Sequence, residues 1–217
     1  MIYSSEDFKR DIHQIGLKDF ELKGVVQGWL FVRDQHDRSE IITLSYRDYA
    51  SHSFYIDGVS VEIYFNEVES IFESAAKKIK PKGVYHNTTV QKSLVGAEGI
   101  NYKALETEIN SSSAFSTVRG EIELLIKNFA LPFFEKYKTV QNVFEESEKM
   151  AIGQMASFIG QPLPFRRMII KKLCHDLNYE TYCKKFEEHL INTSSKDDLI
   201  FMKFLRELLE TGLKSEE

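Results

Sequence analysis

The sequence predicts an α+β protein: an N-terminal helix, an antiparallel sheet of about four strands, and a C-terminal helical segment packed on that sheet. Three observations carry the prediction. Apolar residues recur at helical spacing near the N-terminus, with period two from about residue 25 to 65, and again at helical spacing from residue 114 onward. Strand-like runs come first and helical runs later, instead of alternating as βαβ units do. No fixed-period repeat and no low-complexity linker divides the 217 residues. The chain is therefore expected to be a single domain, 1–217, with a sheet-rich part at 1–100 and a helical part at 113–213. The polar stretch at 100–114 is the one candidate boundary.

The first helix is signalled by Ser4 and Asp7 at capping-box spacing, with Phe8, Ile12 and Ile15 on one face and Gly16 as its expected end. VVQGWLFV, residues 25–32, reads as a strand that is apolar on both faces. A polar tip follows, and Ile42, Leu44 and Tyr46 resume period two. Phe54, Tyr55 and Ile56 lead into Val59, Val61, Ile63 and Phe65, with the apolar phase slipping at Asp57-Gly58. We read that slip as a bulge in one long strand and not as a tight hairpin. Asn66 with Glu69 has capping-box spacing, and Val68, Ile71, Phe72, Ala75 and Ile79 form an amphipathic stripe that KPKG breaks. A fourth strand is predicted within 84–95. Beyond 114, Phe115, Val118, Ile122, Leu125, Ile126 and Phe129 share a helix face. Pro132 must bend or restart that helix at 130–133, because it lacks an N–H and clashes with the preceding turn. Further helices are predicted near 140–158, 164–175, 178–191 and 196–213, the last capped by Ser194 or Ser195.

Composition narrows the function classes. A net charge of -5 disfavours the chain as a nucleic-acid binder and suits a basic partner. Two cysteines make no disulfide framework, no apolar run is long enough to span a membrane, and the N-terminus lacks a secretory h-region. The expected address is the cytoplasm. The chain contains no dinucleotide-binding, Walker A, His-Glu-x-x-His or Gly-x-Ser-x-Gly motif.

Three clusters remain. In VRDQHDRSEII, residues 32–42, His36 and Asp37 stand together, and Asp48, His52 and Asp57 follow. If these converged they could ligate a metal for hydrolysis. The turn chemistry of Asp34, Gln35, Asp37, Arg38 and Ser39 instead predicts an exposed hairpin tip, distant from His52. Cys174, His175, Cys183 and His189 lack the short ligand pairs of a zinc site, and Cys183 falls on the apolar stripe of Tyr179, Tyr182, Phe186 and Leu190. No metal and no cofactor are expected. PFRRMIIKKL, residues 164–173, gives the third cluster: Arg166, Arg167, Lys171 and Lys172, with Lys184 and Lys185 further on. These six cations stand against Asp176 and Glu180 in 161–185. They read as a solvated helix face, and as a phosphate or nucleic-acid backbone site in the alternative. Trp29 and Tyr46 are candidates to line a groove.

SEIITLSYRDYASHSFYIDGVSVEIYF, residues 39–65, and ALPFFEKYKTVQNVFEE, residues 130–146, resemble a family of bacterial proteins of unknown function. That resemblance implies a small antiparallel sheet with flanking helices and supplies no catalytic residues. Bacterial domains of this build that lie beside toxin genes look like immunity proteins, which is an analogy of fold. The expectation is thus a non-enzymatic bacterial protein-interaction domain, immunity-like or scaffolding. The alternatives are a metal-dependent hydrolase around His36, Asp37 and His52, or a backbone-phosphate binder through 166–185.

Overall fold

The computed structural model describes residues 3–49, 53–81 and 87–212. It is α+β, with a five-stranded sheet in the order β1-β2-β3-β4-β5. Helix α1 (Ser5–Ile12) precedes β1 (Glu21–Val25), β2 (Gly28–Asp34), β3 (Arg38–Tyr49) and β4 (Ser53–Phe65). Then come α2 (Asn66–Lys78), β5 (Val90–Ser93), α3 (Tyr102–Leu105) and α4 (Ser112–Leu125). A π-helical turn (Ile126–Ala130) leads into α5 (Leu131–Lys136), α6 (Val140–Ser147), α7 (Ile152–Phe158), α8 (Leu163–Leu173), α9 (Tyr179–Asn192) and α10 (Lys196–Thr211). Among the described residues no helix is long and apolar enough to cross a membrane.

By its contacts the chain divides into two compact units: Met1–Ile63 with Lys92–Lys136, and Tyr64–Gln91 with Tyr137–Glu217. The single-domain expectation predicts one cooperative unfolding transition by calorimetry, and two resolved transitions would overturn it.

In the first unit the Ser4–Asp7 capping box forms: the Ser4 hydroxyl accepts from the Asp7 N–H, and the Asp7 carboxylate accepts from the Ser4 N–H. Helix α1 ends at His13 and not at Gly16, and Ile15 is buried beyond the helix. Phe8 stacks on Phe54 (4.5 Å between centroids) and meets Tyr46 and Phe115 edge-on, so α1, the sheet and α4 share this core. Burying a phenylalanine here is worth several kcal/mol. Phe8→Ala is expected to lose about 3–5 kcal/mol in urea unfolding, and a loss below about 1 kcal/mol would contradict the packing.

The run at 25–32 is two strands and not one. Val25 pairs with Gly28 across a two-residue turn in which Gln27 takes a left-handed φ of 54°. Val25 and Val26 are exposed, so the expected two-sided burial holds only further along, at Phe31 and Val32. An apolar run alone could not reveal that turn, because neither valine nor glutamine signals it.

Strand β4 is continuous, and its burial alternates until Asp57 and Gly58, two successive residues that both leave the buried set. Phe54 and Ile56 are buried before them, and Val59, Val61, Ile63 and Phe65 after them. One residue out of phase is what a bulge inserts.

Pro132 acts through the residues before it. The helix widens to π geometry over Ile126–Ala130, with the Leu131 N–H donating to the Ile126 carbonyl, and α5 restarts at Leu131. The wider turn moves the carbonyls that the proline ring would strike. Phe133 and Phe134 are buried just after it, so the break is packed and not looped out.

In the second unit, the predicted helix at 140–158 is two helices, α6 and α7. At the end of α6 the Ser147 hydroxyl donates to the Phe144 carbonyl, and Gln154 accepts from the Ala151 N–H to start α7. Phe72, Phe165, Phe186 and Phe201 form an edge-to-face cluster joining α2, α8, α9 and α10.

Candidate functional site

The polar hairpin is a structural clamp. Asp34 and Arg38 end β2 and begin β3, and Gln35, His36 and Asp37 are exposed at the tip between them. Arg33 and Glu40 are register partners. Glu40 is fully buried, and its two oxygens are held by Arg33 on one side and by Arg38 (2.8 and 3.0 Å) and Gln35 (3.2 Å) on the other. Arg33 also lies over the Phe20 ring at 4.7 Å. Arg38, read from sequence as an exposed turn residue, is instead buried.

The remaining described candidates do not join this tip. Asp48 belongs to β3 and not to the turn after it, and Asp57 lies within the one long strand β4. Asp48 lies on β3 eleven positions beyond Asp37, roughly 35 Å for an extended strand. His52 lies outside the described residues. Among the described residues no three His, Cys, Asp or Glu side chains come together as a metal site.

The basic cluster on α8 contradicts the expected solvated face. Arg166 is 1% exposed and Lys171 3%. The Arg166 guanidinium forms a bidentate pair with the fully buried Glu69 carboxylate (2.7 and 2.8 Å), lies 4.3 Å from the Phe72 ring centroid, and also donates to the Gln161 carbonyl. The Thr89 hydroxyl donates to the same carboxylate at 2.8 Å and accepts from the Phe65 N–H. Glu69 therefore does not cap α2; the helix starts from Phe65 with no side-chain cap. Lys171 bridges Glu148 (2.9 Å) and Asp176 (2.7 Å), and Arg167 shares Glu148. Tyrosines from α9 cover the cations: Tyr182 meets Arg167 at 5.2 Å, and Tyr179 meets Lys172 at 4.8 Å. Lys184 and Lys185 alone of the six cations stay exposed. A phosphate would have to displace these partners from Arg166 and Lys171.

The ion pairs around Lys171 set a pH response. Burial alone would raise the Glu148 and Asp176 carboxyls, but hydrogen bonds from Arg167 and Lys171 to Glu148, and from Lys171 and the Asn178 N–H to Asp176, lower both below their ordinary values. A carboxyl whose folded pKa lies below its unfolded one stabilises fully above the unfolded value, about 4. That stability is lost as pH falls through the folded pKa. The urea midpoint should thus drop on acidification below about pH 4. Lys171→Met should flatten the drop, and an unchanged slope in that variant would refute the assignment.

Cys174 and Cys183 are free thiols. Burial pushes Cys174 up to about 11 and raises Cys183 as well. His175 sits in the left-handed position that ends α8, with its N–H on the Lys172 carbonyl and the Asp176 N–H on the Lys171 carbonyl, while His189 is exposed. Both thiols should resist a bulky thiol reagent at neutral pH until urea unfolds the chain. Stoichiometric labelling of the native protein would contradict their placement.

A different place offers a site. In the first unit a pocket of about 520 Å³ opens beside the bulge in β4. Its apolar wall is built by Ile56 and Val59 of β4, Leu94 just after β5, Leu105 of α3 and Leu125 of α4. Tyr49, Tyr55 and Tyr102 add aromatic surface. Tyr49 and Tyr55 meet edge-to-face at 5.3 Å, their planes 89° apart. Tyr102 is pinned, its hydroxyl donating to the Leu94 carbonyl at 2.6 Å. At the phase slip Asp57 is exposed, and Arg47 pairs with it. Asp57 and the Tyr49 hydroxyl hold the guanidinium above its ordinary pKa, and Arg47 lowers that of Asp57. Gly58 also lines the pocket, and a Cβ there would meet nothing within 4 Å. Trp29 and Tyr46 are not part of it. Tyr46 packs on Phe8 and Phe54, while Trp29 faces His13 and fills the space left by Gly24.

Among the described sequence-derived candidates only Asp57 lines this pocket, and Arg47 pairs with it. The slip at Asp57-Gly58 was the one sequence signal that pointed here, since bulges re-aim side chains beside functional sites. The lining residues come from five separate segments, β3, β4, the stretch after β5, α3 and α4, which no local pattern could join. No family model, curated protein or solved structure matches the chain.

Proposed function

We propose that the protein is a non-enzymatic interaction module that holds a segment of a partner polypeptide at the pocket beside the β4 bulge. The observation that supports this most is the composition of the pocket: an aliphatic wall, three tyrosines, one internally paired Arg47–Asp57 couple and Glu106 at the end of α3. Such a surface binds by burying an apolar anchor and by aromatic contact, as the fully desolvated centres of interfaces do. Tyrosine offers large contact area at low entropic cost, and Tyr49 is more than half exposed. The two free thiols agree with a cytoplasmic setting, and the resemblance with a bacterial, immunity-like role.

The test is selection of short displayed peptides on the intact protein, followed by measurement of each binder against Gly58→Leu. A Cβ at Gly58 meets nothing within 4 Å, so the leucine side chain starts from open space at the pocket lining. Selected peptides should lose about tenfold or more in affinity, corresponding to about 1.4 kcal/mol. Equal affinity for the two proteins, or selection of no peptide at all, would sink the reading.

A further inference from the structure

We infer that the anchor this pocket takes is a cation on an aliphatic stem, the side chain of a lysine or arginine in the partner polypeptide. The inference rests on the docking role proposed above and names the chemistry it selects. Among the described residues the charges at the pocket are Arg47, Asp57 and Glu106. Arg47 is spoken for, because Asp57 and the Tyr49 hydroxyl both hold it. The Glu106 carboxylate, at the end of α3, has no hydrogen-bond or ion-pair partner among the described residues. With the couple neutralised, the described lining of the pocket carries one uncompensated negative charge.

The rings favour the same sign. Each tyrosine face is the negative side of a quadrupole and attracts an ammonium or guanidinium group. Tyr49 and Tyr55, set at right angles, form a corner of two ring planes, and Tyr102 is fixed by its bond to Leu94. The wall of Ile56, Val59, Leu94, Leu105 and Leu125 suits the methylene stem of such a side chain, which buries its carbons and keeps its charge at the mouth. A carboxylate anchor would meet the tyrosine faces and Glu106 with the wrong sign, and would have to strip Asp57 from Arg47. The chain's net charge of -5 also draws basic partners toward it over longer range.

The experiment uses a short fluorescein-labelled peptide with one central lysine between leucines, the same peptide with glutamate at the centre, and free butylammonium as competitor. Binding is read by anisotropy on the full chain at low salt. The lysine peptide is expected to bind at least about fivefold tighter than the glutamate peptide. Glu106→Gln should weaken the lysine peptide about fivefold and leave the glutamate peptide unchanged or tighter. Asp57→Asn releases Arg47 and should shift the preference toward the glutamate peptide. Two results overturn the cation assignment: equal or tighter binding of the glutamate peptide to the wild type, or no effect of Glu106→Gln. If the glutamate peptide wins and Gly58→Leu still abolishes its binding, the docking role survives and the cation falls. If Gly58→Leu affects neither peptide, both fall. Competition by butylammonium at the affinity of the peptide itself would mark a free amine as the ligand and overturn the polypeptide source.

Discussion

Replacing Glu69 by glutamine is expected to cost about 3–5 kcal/mol of folding stability, a large part of the roughly 5–15 kcal/mol that holds a typical domain. The variant takes from the Arg166 guanidinium, which is 1% exposed, the charge of the Glu69 carboxylate that holds it in two bonds. Arg166→Met should cost a similar amount for the opposite reason, since it strands the Glu69 carboxylate beside Thr89 in the same dry site. Arg166→Lys should not rescue. A point charge cannot make the two parallel bonds of 2.7 and 2.8 Å or lie flat on Phe72. The double variant Glu69→Leu with Arg166→Met removes both charges, and it should recover most of the loss because apolar replacement of a buried pair is often neutral. Urea unfolding followed by circular dichroism measures all four. A double variant as unstable as either single one would mean that the site needs its hydrogen bonds and not charge balance.

This pair shows where the sequence stopped being informative. Glu69 stands three residues after Asn66 and Arg166 sits among other cations, so local pattern assigned one to a helix cap and the other to a solvated face. The two lie 97 positions apart, and no periodicity within a helix signals a partner at that distance. The same limit applies to the pocket. The phase slip at Asp57-Gly58 was legible, because alternation in β4 is a local property. That Leu94, Leu105 and Leu125 would close around it was not. Elements governed by local rules were readable: the Ser4–Asp7 cap, the α+β order, the exposed tip at His36 and Asp37, and the restart at Pro132. The π turn that accommodates the proline was not, because it serves a steric need without a residue signature of its own. The turn at Val26-Gln27 went unseen for a similar reason: its left-handed residue is glutamine, where a reader looks for glycine or asparagine.

Gly160→Ala should destabilise the second unit by about 3 kcal/mol or more, at the upper end for overpacking, while Gly58→Ala should not. The two glycines differ in what a methyl group would meet. At Gly160 a Cβ would stand 2.0 Å from the Thr88 carbonyl oxygen and 3.1 Å from its carbon. Backbone that could yield elsewhere is tied here. The Gly160 N–H donates to the Thr89 carbonyl at 2.9 Å, Ile159 bridges to Val90, and the Thr88 hydroxyl donates to the Val90 carbonyl at 2.9 Å. Relieving the clash means breaking this seam, and Thr89 is the residue that also hydrogen-bonds Glu69. The loss should therefore couple to the ion pair: in the Glu69→Leu, Arg166→Met background the cost of Gly160→Ala should shrink, by more than the ~0.5 kcal/mol that independent sites allow. Gly58 has nothing within 4 Å of its added carbon, and its φ lies outside the left-handed region. Alanine there removes only freedom of the unfolded chain and should stabilise by about 0.4–1 kcal/mol. Equal effects at the two positions would refute the close approach of Gly160 to Thr88. Strict additivity in the triple variant would show that the seam and the Glu69–Arg166 pair are independent.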